Sequence, residues 1–166
     1  MDAESRRTLI REWLTALGLT PTGRLRRDSH LLAAIVAGPL FWGLFWLFGT
    51  GFPFPADEPT TAKLASALLY YPVVEELFFR GLLQGAMARR REGRYRLLGI
   101  TTANVVASAA FTGWHVLFTS SVALWVLVPS LVYGHLRDRQ GHVYGAVLTH
   151  TWYNLTFVVA LGMMGA

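Results

Sequence analysis

Three charged residues stand close together in an apolar stretch near the middle of the chain. Between residues 62 and 88, Glu75, Glu76 and Arg80 are the only acidic or basic side chains besides Lys63. A charge at the centre of a bilayer costs about 2.5–3.5 kcal/mol on insertion scales, and intramembrane charges usually mark functional sites. An internal ion pair would account for the arginine and one glutamate, but the second glutamate would remain without a partner.

Helical geometry separates the roles of the two acids. Glu76 and Arg80 are four residues apart, so they share a helix face and can pair. Glu75 is rotated by about 100° from Glu76 and points toward another helix, where a desolvated carboxylate can serve as general base for a water molecule. Pro72, one turn earlier, frees a backbone carbonyl and can kink the helix, which would help to open a wet cavity.

Two further polar stripes occur in later apolar runs. The first has spacings of four, three and four residues, which place its members on one helix face: Asn104, Ser108, Phe111 and His115. The second consists of His150 and Asn154, with Tyr153 beside them. Because polar groups in hydrocarbon must find partners, we expect both stripes to face the glutamates across a shared cavity.

The elements that must position these residues are predicted to be membrane-spanning helices. Hydrophobic residues make up 53% of the chain and charged residues 15%, against about a quarter charged in soluble domains. Apolar runs long enough to cross the hydrocarbon core of about 30 Å lie near residues 31–50, 62–88, 98–118, 121–136 and 143–165. The prediction is therefore all-α, a polytopic integral membrane helix bundle of about five transmembrane helices, with a transmembrane domain over residues 31–165.

The positive charges set the predicted orientation. They precede the first run and follow the second and fourth runs, as Arg6, Arg7, Arg11, Arg24, Arg26, Arg27, Arg89, Arg90, Arg91, Arg94, Arg96, Arg137 and Arg139. The opposite loops carry only Asp57, Glu58 and Lys63. The positive-inside rule therefore predicts an N-in, C-out topology. The preference for arginine over lysine suggests a prokaryote, and hence its cytoplasmic (inner) membrane.

Residues 1–30 form a basic segment that is predicted to be cytoplasmic. Leu9, Ile10, Trp13, Leu14 and Leu17 fall at helical spacing among arginines, which indicates an amphipathic helix on the membrane surface; a disordered basic tail is the alternative. The remaining histidines, His30, His135 and His142, are assigned surface roles.

Several classes of protein are excluded. The chain has no cysteine, so disulfides, zinc–thiolate sites and cysteine nucleophiles are ruled out. It also lacks a Gly-x-Ser-x-Gly motif, and no aspartate lies in any apolar run. The arginines occur in separate clusters beside these runs, which argues for lipid and topology rather than for nucleic acid.

The three charged and polar patterns, taken together, resemble the motifs of a known family. Glu75-Glu76-x-x-x-Arg80, Phe111-x-x-x-His115 and His150-x-x-x-Asn154 are similar, in this order, to those of the CAAX protease and bacteriocin-processing family. That family is also called CPBP or Abi and includes the type II CAAX prenyl endopeptidases. The resemblance covers roughly residues 62–160.

The resemblance implies a glutamate-type intramembrane endopeptidase that needs no cofactor. Glu75, aided by His115, would activate water; His150 and Asn154 would stabilise the oxyanion; Glu76 and Arg80 would orient the site. The side chains expected to line the cavity or bind substrate are Phe79, Asn104, Ser108, Phe111 and Tyr153. The substrate would be a membrane-embedded or lipid-anchored protein cut near its C-terminus, in CAAX-type processing, bacteriocin processing or protein sorting.

Two other interpretations stay open. Two glutamates and two histidines could bind zinc, whose catalytic sites use these ligands with an open water position, although the His-Glu-x-x-His signature is absent. The second interpretation is a non-enzymatic membrane protein: an immunity factor, a scaffold or a small transporter. Intramembrane Glu, His and Arg also form the proton relays of transporters.

Overall fold

The structure, a computed structural model, describes residues 2–20, 28–48, 60–118 and 121–164. These residues are almost wholly helical, which confirms the all-α class. The helices are α1 Ala3–Ala16, α2 Ser29–Phe48, α3 (residues 61–89), α4 Thr102–Phe118, α5 Leu127–Gln140 and α6 Tyr144–Met164. Short 3₁₀ turns at Glu92–Arg94 and Ser121–Val126 and an antiparallel pair, β1 Arg96–Leu97 with β2 Ile100–Thr101, complete the fold.

Helix α3 changes its winding along its length. Its segments are α-helical at Thr61–Ala65, π-helical at Ser66–Tyr70, α-helical at Tyr71–Glu76, π-helical at Leu77–Gln84 and α-helical at Gly85–Arg89. π-Helical turns are rare and occur frequently at functional sites. Both π segments flank the part of α3 that carries the two glutamates.

Two predicted runs differ from the helices that form. The run at 98–118 begins with a hairpin instead, because Leu98 (φ 52°) and Gly99 (φ 82°) adopt left-handed conformations, and α4 begins only at Thr102. The run at 121–136 starts as a 3₁₀ turn, and its helix α5 continues to Gln140 through the predicted loop. A left-handed Gly141 (φ 76°) then ends α5, as glycines after helix C-termini commonly do.

Hydrogen bonds from large side chains tie α6 to α2. Trp152 Nε1 donates to the Ile35 carbonyl (2.7 Å), and the Tyr153 hydroxyl donates to the Ala34 carbonyl (2.8 Å). Trp42 Nε1 on α2 donates in return to the Tyr153 carbonyl (3.1 Å). The opposite face of α2 is an exposed apolar stripe made of Leu32, Val36, Leu40, Leu44 and Leu47.

In the four described ranges, no helix combines the length and the apolarity that crossing a bilayer requires. The five-span N-in, C-out topology predicted from sequence therefore gains no support from these helices. Residues 51–59, which lie between the first two predicted runs, and the basic residues Arg24, Arg26 and Arg27 lie outside the described residues.

The surface role assigned to His142 is wrong. Its side chain is completely buried, and neither ring nitrogen has a hydrogen-bond partner within the described part of the chain. The reason is that Gly141 turns the chain inward beside Gly18, whose carbonyl accepts from the Val143 amide (3.0 Å). His30 and His135 pair with each other, with 3.0 Å between Nδ1 and Nε2.

Asp28 fastens the start of α2 to the end of α5. Its Oδ1 accepts from the His30 amide (3.0 Å) and from Arg139 Nε (2.8 Å), and its Oδ2 accepts from Gln140 Nε2 (3.1 Å). Burial alone would raise the pKa of Asp28, but the hydrogen bonds from Arg139 and Gln140 outweigh it and hold the pKa below its ordinary value. The ionised carboxylate therefore stabilises the folded state.

We expect Asp28→Asn to lower the free energy of unfolding by about 1–3 kcal/mol at neutral pH, because it removes a charge-assisted clamp. Since the pKa of Asp28 is lower in the folded than in the unfolded state, this stabilisation is present above the ordinary value of 3.8. It is lost as the pH falls through the folded-state pKa. Thermal unfolding in detergent should thus show the two proteins converging at low pH, whereas a gap that persists there would contradict the charge-based explanation. Glu92→Gln, at an exposed site, is the control.

Candidate active site

A buried ion pair lies at the centre of the site. Glu76 and Arg80 are both completely buried, with 3.2 Å between Glu76 Oε2 and Arg80 Nε, which confirms the pairing expected from their spacing. Arg80 Nη2 also donates to the hydroxyl (2.7 Å) and carbonyl (3.1 Å) oxygens of Ser130 on α5. The guanidinium lies over the rings of Phe111 and Tyr133, at 5.2 and 5.9 Å from their centroids.

His150 on α6 contacts both glutamates. Its Nδ1 lies 3.0 Å from Glu76 Oε1, and its Nε2 lies 3.8 Å from Glu75 Oε2. Because an ionised carboxylate can only accept, the hydrogen of this bond belongs to Nδ1. The ring stacks on Tyr133, with centroids 4.8 Å apart and planes 14° apart. These contacts fix the imidazole and direct Nε2 toward Glu75.

Glu75 lies at the wall of a cavity of about 500 Å³, where its side chain is 17% exposed. His115, His150 and Asn154 line the same cavity. His115 Nδ1 lies 2.9 Å from the Phe111 carbonyl; since a carbonyl can only accept, Nδ1 carries the hydrogen, and the neutral ring keeps a lone pair on Nε2. Most of the remaining wall is aromatic: Trp42, Tyr71, Phe111, Trp114, Phe118, Trp125, Tyr133, Tyr153 and Phe157.

The winding of α3 explains how Asn154 is held. In the first π segment the Tyr71 amide donates to the Ser66 carbonyl, five residues back. The next donor in this register would be the amide of residue 72, directed at the Ala67 carbonyl, but a proline has no N–H. Asn154 Nδ2 donates to this carbonyl instead, at 2.8 Å. Pro72 therefore frees the backbone acceptor that anchors Asn154.

The polar stripe on α4 divides between two environments. Phe111 and His115 reach the cavity, and so does Tyr153 on α6, whereas Asn104 and Ser108 do not line it. Asn104 Nδ2 donates to the Leu131 carbonyl (3.0 Å), and its Oδ1 accepts from the Ser108 hydroxyl (2.9 Å).

A close approach of α4 and α5 buries Asn104 and Ser108 completely. A Cβ at Gly134 of α5 would collide with the Asn104 side chain, so glycine permits the contact. Asn104 thus holds α4 against α5, and Ser108 fixes the Asn104 side chain. Phe79 also lies behind the cavity wall, edge-to-face against Phe111, with 5.1 Å between the ring centroids.

The sequence interpretation missed the contribution of α5. It placed the cavity among the second, third and fifth runs, but Pro129 and Tyr133 of α5 and Trp42 of α2 also line it. Ser130 and Tyr133 are polar residues in an otherwise apolar run, three apart on one helix face. That is the same signal that singled out His150 and Asn154, so it could have revealed them. No comparable signal predicts Trp42.

No group of three or more His, Cys, Asp or Glu side chains that could hold a metal ion occurs within the described residues. Glu75, His115 and His150 share a cavity wall without forming such a group. The geometry thus assigns no metal ligands, and the zinc interpretation needs a direct test.

The comparisons with known proteins identify the family. The family model described as type II CAAX prenyl endopeptidase Rce1-like matches residues 57–156, which is more than half of the chain. The chain therefore belongs to this family of endopeptidases. The match includes the three motifs and every residue named above for the cavity except Trp42 and Phe157. Comparison with curated proteins and with solved structures gave no match.

We expect Arg80→Met to lower the free energy of unfolding by about 3–5 kcal/mol, because it leaves the buried Glu76 carboxylate without a counter-charge. The double variant Glu76→Gln/Arg80→Met should recover part of the loss, giving a coupling energy of about 1–3 kcal/mol in a double-mutant cycle. Thermal unfolding in detergent measures the loss of unfolding free energy and the coupling energy. Arg90→Met, at an exposed position, is the control. Additive losses would contradict a stabilising ion pair.

Proposed function

We propose that the chain is a glutamate-dependent endopeptidase that hydrolyses a peptide bond of a membrane-embedded or lipid-anchored substrate near its C-terminus. One observation carries the proposal: Glu75, His115, His150 and Asn154 converge on one cavity of about 500 Å³. Membership of a family of CAAX prenyl endopeptidases supports the same reaction.

The proposed hydrolysis begins with a water molecule between Glu75 and His115. Among the described residues, Glu75 has no closer ionic partner than His150 at 3.8 Å, so its carboxylate can accept a proton from the water as the oxygen attacks the scissile carbonyl carbon. The lone pair on His115 Nε2 orients the same water. The proton then passes to the departing amine when the carbon–nitrogen bond breaks.

The negative oxygen of the tetrahedral intermediate requires donors on the far side of the carbonyl. Asn154 has two N–H bonds, of which one is held by Ala67, so the other can donate into the cavity. His150 Nε2 faces the same cavity and is the second candidate donor. Glu76 positions His150, and Arg80 in turn holds Glu76; neither residue lines the cavity.

We also propose that the helix bundle lies in a membrane, with its N-terminus in the cytoplasm. The exposed apolar stripe on α2 supports this placement, since a monomer in water seldom exposes so long an apolar surface. The pairs Arg80–Ser130 and Gln84–Gly134 are both fifty residues apart. The constant separation means that α3 and α5 run parallel, as the second and fourth spans of the predicted topology must.

The aromatic wall supports an apolar substrate segment. Trp114 and Trp125 are more than half exposed and line the cavity opening, and large aromatic side chains bind apolar groups with little loss of conformational entropy. A membrane tail and a lipid-modified C-terminus both fit this surface. The proposal therefore covers CAAX-type processing, bacteriocin processing and protein sorting as one substrate class.

We expect Glu75→Gln to abolish cleavage of a membrane-tail substrate by the purified protein, with a loss of at least about 10³-fold, because the amide cannot accept the proton from water. Wild-type cleavage should be unchanged in strong chelator. Glu92→Gln, an exposed change of the same type, should cleave normally. Cleavage is followed by mass spectrometry of the products.

Two other results have definite meanings. Loss of cleavage in chelator with rescue by zinc would replace the proposal by the metalloprotease interpretation. A Glu75→Gln protein that cleaves as fast as wild type would show that Glu75 is not the base.

The anchor of Asn154 gives a further expectation. Pro72→Ala restores a backbone N–H that competes with Asn154 Nδ2 for the Ala67 carbonyl, while alanine suits a helix better than proline. We expect stability to be kept or increased and kcat to fall by up to about 10²-fold with little change in KM, since an oxyanion donor acts in the transition state. Pro39→Ala in α2 is the matched control. An unchanged kcat would contradict a positioning role for Pro72.

A further inference from the structure

A second cavity, of about 920 Å³, lies between α1 and the ends of α3 and α5, and it shares no lining residue with the candidate active site. Four arginines line it: Arg7, Arg11, Arg89 and Arg137. Three acids also line it, namely Glu4, Glu12 and Asp138. The cavity therefore carries a net positive charge from seven ionisable side chains contributed by three helices.

The arginines of this cavity outnumber the acids that share it, and in the described ranges of the chain none of them makes an ion pair. Both carboxylate oxygens of Asp138 accept from neutral donors, Oδ1 from Gln84 (2.8 Å) and Oδ2 from Thr101 (2.6 Å). Burial lowers the pKa of the Arg137 guanidinium, and the charge of Asp138 offsets this in part. The guanidinium groups that line the cavity therefore keep hydrogen-bonding capacity for an anion.

Helix α1 is held firmly enough to form a wall of a binding site. A Cβ at Gly81 of α3 would lie only 2.7 Å from the Leu17 carbonyl, so glycine lets the end of α1 approach closely. The Leu19 carbonyl also accepts from the Tyr144 hydroxyl (2.6 Å). The position of α1 is thus set by contacts to both α3 and α6.

The two faces of α1 differ in character. Residues 4, 7, 8, 11, 12, 15 and 16 recur at helical spacing and line the cavity. The opposite face exposes Leu9, Ile10, Trp13 and Leu14, which are 39–59% exposed. A basic helix with such an apolar face binds at a membrane interface, and this places the arginine-lined cavity at the level of lipid headgroups.

We propose that this cavity binds the phosphate group of an anionic phospholipid headgroup. Arginine matches phosphate oxygens with two parallel hydrogen bonds, and four arginines from three helices line this cavity. The exposed apolar face of α1 favours a lipid as the source of the phosphate over a soluble ion. The site is independent of the proposed proteolysis, and its test uses no activity measurement.

The experiment measures the melting temperature of the purified full chain in neutral maltoside micelles, titrated with short-chain phosphatidylglycerol, with short-chain phosphatidylcholine, or with inorganic phosphate. We expect phosphatidylglycerol to raise the melting temperature, and the two other additions to have little effect at the same concentration. Arg7→Gln/Arg11→Gln should weaken the apparent affinity by at least about tenfold, since it removes two of the four guanidinium groups that would form charge-assisted hydrogen bonds to the phosphate. Both positions are exposed, so the variant should fold.

The matched control is Arg6→Gln/Arg90→Gln, which removes the same charge from two exposed arginines that do not line the cavity. It should keep the wild-type response. Equal losses in the two double variants would show a general charge effect and overturn the site. A response to inorganic phosphate as large as that to phosphatidylglycerol would assign the cavity to a soluble anion and overturn the lipid proposal, and no response to any addition would overturn both.

Discussion

The desolvation of Glu76 and Arg80 is the constraint on which the rest of the site depends. Two fully buried charges depend on each other and on further polar partners, because the cost of removing them from water is several kcal/mol per ion. The partners come from three other helices: Ser130 on α5, His150 on α6 and the aromatic face of Phe111 on α4. Among the described residues, Glu76 Oε2 and the Nε and Nη1 atoms of Arg80 make no hydrogen bond, so the ion pair itself carries that part of the compensation. Four helices are therefore fixed relative to one another by one ion pair.

This arrangement gives two adjacent glutamates opposite properties. The Glu76 carboxylate is enclosed between Arg80 and His150 and has no exposure to the cavity. Glu75, one residue earlier, has only the longer contact to His150 and reaches the cavity wall. The neighbouring acid thus uses up the strong local partners, and this leaves the other carboxylate available for chemistry. A single glutamate in this helix could not be both firmly held and available.

Sequence reasoning recovered the parts of this arrangement that depend on spacing along one helix. The pairing of Glu76 with Arg80 follows from four-residue spacing, and the three motifs were sufficient to identify the family that the family model confirms. The fate of Asn104 and Ser108 could not be predicted in the same way. A stripe is wide enough to face two neighbours, and the choice depends on Gly134, a residue on another helix that allows close packing. The hairpin at residues 96–101 and the π segments likewise depend on backbone conformations that hydrophobic periodicity does not report.

The alternating winding of α3 has a consequence for both cavities. Residues four apart overshoot one full turn in an α-helix of 3.6 residues per turn, and they fall short of a full turn in the wider π-helix. Glu76, Arg80 and Gln84 span the second π segment, Leu77–Gln84, so each four-residue step between them falls slightly short of a full turn. Glu76 contacts α6, and the other two side chains contact α5. Arg80 can then bond Ser130 while Gln84 bonds the Gly134 carbonyl and Asp138.

Gln84, the last residue of the Glu76–Arg80–Gln84 row, donates to Asp138 Oδ1, and the charge of Asp138 favours the neighbouring Arg137 cation in the second cavity. The row of side chains that orders the candidate active site therefore also positions a carboxylate of the other cavity. Any change that straightened α3 into a regular α-helix would disturb the Glu76–Arg80–Gln84 row first. It would alter the surroundings of Glu75 and Arg137 together, although these two residues line different cavities.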